Sequence, residues 1–144
     1  NNLIQGNIVL ENLGVNINQD YTYNLEINNL SVTTHNGIIN LNANYIKTLI
    51  DGASTKYKYL DDIYLIIGSG EGNAVNNNNF NIQITDSLTI NNACFESGKC
   101  VIIEGKSTIS TDIYQDRELD YGNNLCDCKV NIEINNEPYL IVID

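Results

Sequence analysis

The chain has 144 residues, and its 18 acidic and 7 basic side chains give a formal net charge of −11. This excess of acid argues against nucleic acid and anionic membranes as partners, because both bind clustered Lys and Arg side chains. No apolar run approaches the roughly 18 residues that span a bilayer, so the sequence predicts no membrane span. The length is typical of one domain, which we expect to cover residues 1–144.

Asn and Ile dominate the composition, with 26 and 22 residues, and they alternate with each other over long stretches. An apolar side chain at every second position predicts strands with one buried and one wet face. Residues 45–50 have the spacing of one helical turn, and the Gly- and Asn-rich residues 68–79 are expected to form the longest loop. In chain order, the predicted strands are 4–10, 15–17, 21–30, 37–45, 63–67, 79–85, 88–90, 100–105, 108–114, 128–134 and 139–143.

Many short strands separated by turn signals at 8–12-residue spacing are typical of all-β folds. Two amphipathic sheets can bury their apolar faces against each other. The sequence therefore predicts a single-domain antiparallel β-sandwich or jelly roll.

Four cysteines form two close pairs in sequence, Cys94 with Cys100 and Cys126 with Cys128. A bond between Cys126 and Cys128 is disfavoured, because side chains two apart on a strand are parallel rather than converging. Bonds between the 94/100 segment and the 126/128 segment, or bonds to neighbouring subunits, remain as alternatives. The spacing does not match the usual zinc knuckles, so we expect disulfides.

The most acidic stretch carries Asp112, Asp116, Glu118 and Asp120. Carboxylates at alternate positions can contribute to the oxygen shell of Ca²⁺, so a calcium site is one hypothesis here. The alternative is a solvated acidic strand that discourages uncontrolled pairing between sheets.

Candidate catalytic groups are sparse. The only histidine, His35, lies beside Asn36 and Gly37 and is expected at the shoulder of a tight turn. The glycines at 68, 70 and 72 lack the following helix that a dinucleotide-binding turn requires. Two tyrosine clusters, residues 21, 23, 57, 59 and 64, are a conceivable sugar platform or simply line the sheet faces. We expect no enzymatic activity and no cofactor, with calcium as the alternative.

One segment resembles a known family. Residues 98–106, with the sequence GKCVIIEGK, precede an alternating Ile-rich stretch at 109–114, and residues 130–143 end in an apolar run. This pattern resembles the β-domains of clostridial spore-coat and exosporium proteins over the last third of the chain. The resemblance implies a structural role in the spore envelope and carries no catalytic residues.

The sequence as a whole favours a self-assembling, non-catalytic subunit of an extracellular, cell-surface or spore-surface layer, or of an appendage or pilus. Its partners would be copies of itself or related envelope subunits. Residues 3–10 and 139–143 are the expected contact strands, and residues 2–18 are a candidate for donation to a neighbour. The four cysteines are candidate cross-links between subunits. The alternative is a monomeric extracellular binding module, either a calcium-stabilised adhesin or a carbohydrate-binding domain.

Overall fold

The computed structural model describes residues 3–55, 57–96 and 98–143. Residues 1 and 2 lie outside this description, and residue 2 is the first of the segment 2–18 that was predicted to be donated. The described chain is almost entirely β-structure, as predicted. Its strands are β1 (Leu3–Val15), β2 (Tyr21–Thr34), β3 (Gly37–Asp51), β4 (Ile63–Asn73), β5 (Asn79–Asn91), β6 (Ile102–Thr111), β7 (Arg117–Asn123), β8 (Lys129–Ile134) and β9 (Glu137–Val142). The helical elements are one short α-helix, α1 (Ala93–Glu96), and a 3-10 turn at Tyr59–Asp61.

All nine strands belong to one sheet and follow each other in chain order from β1 to β9. Every neighbouring pair is antiparallel. The predicted sandwich or jelly roll is therefore replaced by a single meandering sheet. Every strand pairs with the next one in the chain, and short turns join β1 to β2, β2 to β3, β4 to β5 and β8 to β9. At the β8–β9 turn, for example, Asn135 and Asn136 both have positive φ, as a two-residue hairpin turn requires.

Cross-strand pairing gives the sheet two unlike faces, because residues paired across strands point to the same side. The polar face carries Glu26, Asn44, Ser69, Gln83 and Thr108, which form one continuous row across β2 to β6. The apolar face carries the alternate row Ile27, Ala43, Gly70, Ile82 and Ile109. The alternation of Asn and Ile thus marks the two faces, as the sequence indicated.

The buried core lies on the apolar face and is small. Its apolar members are Ala43, Leu49, Ile84, Leu88, Cys94, Ile103 and Val130. Tyr45 on β3 lies on this face. Its pKa is raised mainly by burial and to a smaller extent by the phenol of Tyr121 on β7. In the described part of the chain no second sheet covers this face, yet Ile103 and Val130 on it are only 1% and 2% exposed. The sheet therefore curves around these residues, with the apolar face on its concave side.

Bulges interrupt the pairing in most of the sheet and supply this curvature. The registers shift at Gly6 in β1, at Asn28 and Asn29 in β2, near Gly68 in β4, and at Gly105 in β6. These positions divide a strand without ending it. The predicted strands 79–85 and 88–90, for example, are one strand, β5.

Several predicted elements differ from the structure. The predicted strand 15–17 ends at Val15, and the predicted strands 100–105 and 108–114 form one strand, β6. Residues 45–50 are part of β3 rather than a helical turn. Most of the predicted loop 68–79 is strand, because β4 continues to Asn73 and β5 begins at Asn79. The glycines at 68 and 70 leave room for the ring of Tyr45, since a Cβ at Gly68 would lie 2.9 Å from its Cδ1 atom. The predicted acidic edge is a strand, β7, but it lies inside the sheet between β6 and β8.

Candidate assembly edges

An open sheet has two edge strands, and β1 is the longer of the two here. β1 pairs with β2 on one side only, so alternate N–H and C=O groups on its outer side have no strand partner. Its side chains are apolar yet exposed: Leu3, Ile4, Ile8, Val9, Leu10, Leu13 and Val15 all stand in solvent. Glu11 is the one charged residue of the strand. Of the features that normally prevent strand pairing, this edge has two bulges but no Lys, no Pro and no short length.

Bulges bound the regular part of β1. The register with β2 shifts between Gln5 and Asn7 and again between Asn12 and Gly14. Between these points, residues 7–12 pair with β2 without interruption. Within this run, Ile8 and Leu10 lie on the apolar face, and Val9 and Glu11 lie on the polar face, as their partners Ile27 and Glu26 show. The run is a regular strand with an open side.

The opposite edge, β9, is shorter and also apolar. Tyr139, Leu140, Ile141 and Val142 are all exposed, and β9 pairs only with β8. It contains Pro138, which has no N–H to donate to an added strand. The two predicted contact strands, residues 3–10 and 139–143, therefore lie along opposite edges of the sheet. Together with Ile17, the two edge strands hold half of the large exposed apolar residues in the described part of the chain.

The surface area of the chain is large for its mass. A compact monomer of 16.0 kDa would expose about 7,400 Å², whereas this chain exposes 9400 Å². The excess reflects the single-layer sheet, whose faces and edges are both partly open to solvent.

The cysteines bond within the chain. Cys94 pairs with Cys126 and Cys100 with Cys128, with Cα–Cα distances of 5.5 and 5.0 Å. These are bonds between the 94/100 and 126/128 segments, one of the two alternatives from the sequence. Cys126 and Cys128 lie in the loop before β8 rather than on the strand that was predicted to begin at residue 128. No described cysteine remains free, so this arrangement leaves no thiol for bonds between subunits.

The two disulfides fasten α1 and the start of β6 to the loop between β7 and β8. Cys94 is fully buried, and the backbone N–H of Cys100 donates to the sulfur of Cys128 at 2.8 Å. Disulfides form and persist in oxidising compartments. Two of them in a chain of this size indicate an extracellular or secreted protein.

The four acidic residues proposed for calcium are spread over one hairpin. Glu118 and Asp120 share a face of β7, and both approach the Lys106 ammonium group, at 2.9 and 3.5 Å. Asp112 instead accepts a hydrogen bond from the side chain of Asn79 at 2.6 Å, and Asp116 is exposed. Within the described ranges, no three His, Cys, Asp or Glu side chains are grouped closely enough to hold a metal.

The tyrosines are divided between the sheet and a loop: Tyr21, Tyr23 and Tyr64 share the apolar face, where Leu49 pairs with both Tyr21 and Tyr64. Tyr21 and Tyr23 lie on β2, Tyr64 lies on β4, and Tyr57 and Tyr59 lie in the segment between β3 and β4. The ammonium of Lys47 lies 3.6 Å from the ring centre of Tyr64, whose hydroxyl donates to the Asp62 carboxylate at 2.7 Å. Burial and this carboxylate raise the pKa of Tyr64, and burial lowers the pKa of Lys47. The group is a packed polar cluster within the sheet.

The polar face contains a shallow trough of about 450 Å³. Its polar side chains are those of Glu26, Asn28, Asn42, Asn44, Ser69, Glu71, Asn81 and Gln83. Some of these amides support the backbone. Oδ1 of Asn42 accepts from the N–H of Asn29, and Nε2 of Gln83 donates to the carbonyl of Gly68, both at bulges. The sequence does not predict this role, because nothing in the alternating pattern distinguishes an Asn that supports a bulge from any other Asn.

Comparisons with known proteins found no match to the chain among family models, curated proteins or solved structures. None of the described helices is long and apolar enough to cross a membrane. The geometry of the sheet and its edges therefore carries the functional argument.

Proposed function

We propose that this chain is a non-catalytic structural subunit that assembles with copies of itself or with related subunits through its sheet edges. The observation that carries this proposal is the pair of exposed apolar edge strands, β1 and β9, on a single open sheet. A sheet with such edges in a monomer is prone to pair with other chains, and soluble proteins normally guard against that pairing. An assembly subunit makes use of the same property.

The setting of the assembly follows from two further observations. The disulfides support an oxidising exterior, and the resemblance of the last third of the chain to clostridial spore-coat β-domains favours a spore or cell envelope layer or an appendage. The net charge of −11 acts against random aggregation, because it makes the subunits repel each other outside the weakly charged edges.

Static light scattering and negative-stain microscopy on the purified protein test this proposal, with and without reductant. We expect multimers, and filaments or sheets at higher concentration. Because the described disulfides are within the chain, these assemblies should survive brief reduction under native conditions as long as the subunit stays folded. A monodisperse monomer at all concentrations would exclude the assembly function.

A second candidate is a monomeric extracellular binding module, which the polar trough favours. Amide and carboxylate groups in a shallow cleft suit the hydroxyl groups of a carbohydrate. The two functions predict different results in a thermal unfolding assay. A binding module should be a monomer whose melting temperature rises with a glycan or with Ca²⁺, because a ligand stabilises the state that binds it. A structural subunit should show a melting temperature that rises with its own concentration.

A further inference from the structure

We propose that two copies of the chain pair through β1 about a twofold axis perpendicular to the sheet, with Val9 of one copy directly opposite Val9 of the other. This inference rests on the proposed assembly function and specifies one of its interfaces. The strand that pairs with the β1 edge is thus β1 of a second copy of the same chain.

The strand count selects the symmetry. Nine strands in strict antiparallel order mean that β1 and β9 run in the same direction. If a second copy were added by simple translation, its β1 would lie parallel to β9, unlike every pair in the sheet. A twofold axis normal to the sheet instead brings like edges together, antiparallel and with the same faces aligned. It extends the existing antiparallel pattern from nine strands to eighteen.

Side-chain chemistry selects the register. Directly opposite residues share a face, so the axis must pass midway between a residue and its own copy. With the axis at Val9, Ile8 lies opposite Leu10 of the second copy on the apolar face, and Asn7 lies opposite Glu11 on the polar face. Each apolar side chain then meets an apolar one, and the carboxylate meets an amide that can donate to it.

Neighbouring registers are poorer. With the axis at Leu10, Ile8 would oppose Asn12 and Val9 would oppose Glu11, which sets apolar side chains against polar ones. With the axis at Ile8, Leu10 would oppose the bulged Gly6. The bulges at residues 6 and 13 interrupt the regular strand on both sides of Val9, so pairing is confined to residues 7–11.

The exposed area agrees with this partner. Ile8, Val9 and Leu10 are all exposed in the single chain, and Val9 is 41% exposed despite lying in mid-strand. Pairing would cover these side chains and give partners to the outward N–H and C=O groups of the strand. Within residues 3–15, Glu11 is the one charge, so the edges meet with little repulsion.

Cysteine substitution along β1 tests the register directly. Opposite Cα atoms in an antiparallel pair are about 4.5–5.5 Å apart, which a disulfide can span. We expect Val9→Cys to form a covalent dimer in a glutathione redox buffer, seen on a denaturing gel without reductant. Ile8→Cys and Leu10→Cys are matched controls that should stay uncrosslinked. Their copies would be offset by two residues and lie about 8–9 Å apart, beyond disulfide reach.

The outcomes separate this inference from the proposed function. Crosslinking at Ile8 or Leu10 in preference to Val9, or equal crosslinking at all three positions, would overturn the Val9 register. If no variant crosslinks while the unmodified protein still forms multimers in light scattering, β1 pairing is wrong and assembly uses another edge. If the unmodified protein is a monomer, both the inference and the assembly function fail.

A charge substitution gives an independent check. Val9→Lys would place two ammonium groups opposite each other on the axis, and we expect loss of the β1 dimer in sedimentation velocity. Val9→Thr keeps a β-branched side chain without charge and should retain the dimer. Circular dichroism of each variant confirms that the subunit is folded, because an exposed edge position tolerates either residue. Unchanged association of a folded Val9→Lys variant would overturn the inference.

Discussion

The side-chain Oδ1 atom of Asn42 accepts a hydrogen bond from the backbone N–H of Asn29 at 2.7 Å. Asn29 has a φ of 51° and lies in the bulge of β2, where the ladder to β3 is interrupted between Ile27 and Leu30. An extra residue in a bulge leaves backbone groups without ladder partners. Asn42, across on β3, provides the missing acceptor, so one amide of the polar face helps to hold the bend of the sheet.

Asn42→Ala should therefore destabilise the fold by about 1 kcal/mol, the usual net contribution of one such hydrogen bond. Asn40→Ala is the matched control, because Asn40 lies on the same face of β3 and is exposed. We expect the control to change the free energy of unfolding in urea by less than half as much. Equal effects of the two substitutions would show that Asn42 does not support the bulge.

Gly68 is predicted to be irreplaceable for steric reasons. A Cβ there would lie 2.2 Å from the carbonyl oxygen of Asn44 and 2.8 Å from Cα of Tyr45, and both are backbone atoms. Gly68→Ala should cost more than about 2 kcal/mol, as other changes that force backbone apart do. Gly14→Ala is the control, because Gly14 also has positive φ but its Cβ would meet nothing within 4 Å. The difference between the two urea midpoints isolates the contact from the backbone strain.

The faces of the sheet could be predicted from the sequence, and its layering could not. The alternation of apolar and polar residues with a period of two indicates that each strand has one apolar side. It does not indicate whether that side is covered by a second sheet or by the curvature of the same sheet. The bulges that produce the curvature, such as the one at Gly6, involve single residues that leave the surrounding alternation almost unchanged. The predicted sandwich is therefore not observed, although the alternation correctly identifies the apolar side of each strand.

The strand β7 illustrates a second limit. Glu118 and Asp120 suggested a solvated acidic edge or a calcium site, because their charges are close in sequence. Lys106, twelve residues before Glu118, lies beside both carboxylates on the neighbouring strand and balances them. Charge patterns along a chain do not show such cross-strand partners until the register is known. The edge strands could be found, in contrast, because their apolar runs lie near the two ends of the chain.

Reduction of the disulfides should loosen the C-terminal part of the sheet without dissociating the multimers, because these are held together non-covalently. The bonds join residues 32 and 28 positions apart, and loss of a native disulfide from a small secreted domain typically costs 2–5 kcal/mol. We expect a lower urea midpoint in reductant. On a denaturing gel without reductant, the chain should run as a monomer. Covalent ladders on that gel would instead support bonds between subunits.

Alkaline pH should destabilise the protein through its tyrosines. Burial raises the pKa of Tyr45 and, together with Asp62, that of Tyr64, above the ordinary value of 10.0. The contribution of these two phenols to the free energy of unfolding is complete below pH 10. It is lost as the pH rises further, because the unfolded chain then releases protons that the folded chain retains. The lowered pKa of Lys47 acts in the opposite direction. Tyr64→Phe should reduce the fall in the urea midpoint between pH 9 and 11, and an unchanged fall would contradict this assignment.

Growth beyond a β1 dimer should depend on β9. Pairing through β1 leaves the two β9 edges at the far ends of an eighteen-stranded sheet, again as like edges that can meet about a second twofold axis. With that axis at Leu140, Tyr139 would lie opposite Ile141, and both are exposed. Pro138 lacks an N–H, so this contact should be weaker than the β1 contact. Two alternating twofold contacts produce an open chain of subunits rather than a closed ring when their axes are parallel.

Paired charge substitutions separate the two edges. In sedimentation velocity, Leu140→Lys should stop assembly at the dimer, and Val9→Lys should leave monomers and weak β9 dimers. The double variant should be a monomer at every concentration, whereas Leu140→Thr, which adds no charge, should still assemble. Each lysine puts like charges opposite each other at a single contact, so the two effects should be independent. Large assemblies of the folded double variant would show that subunits associate through the faces of the sheet rather than through its edges.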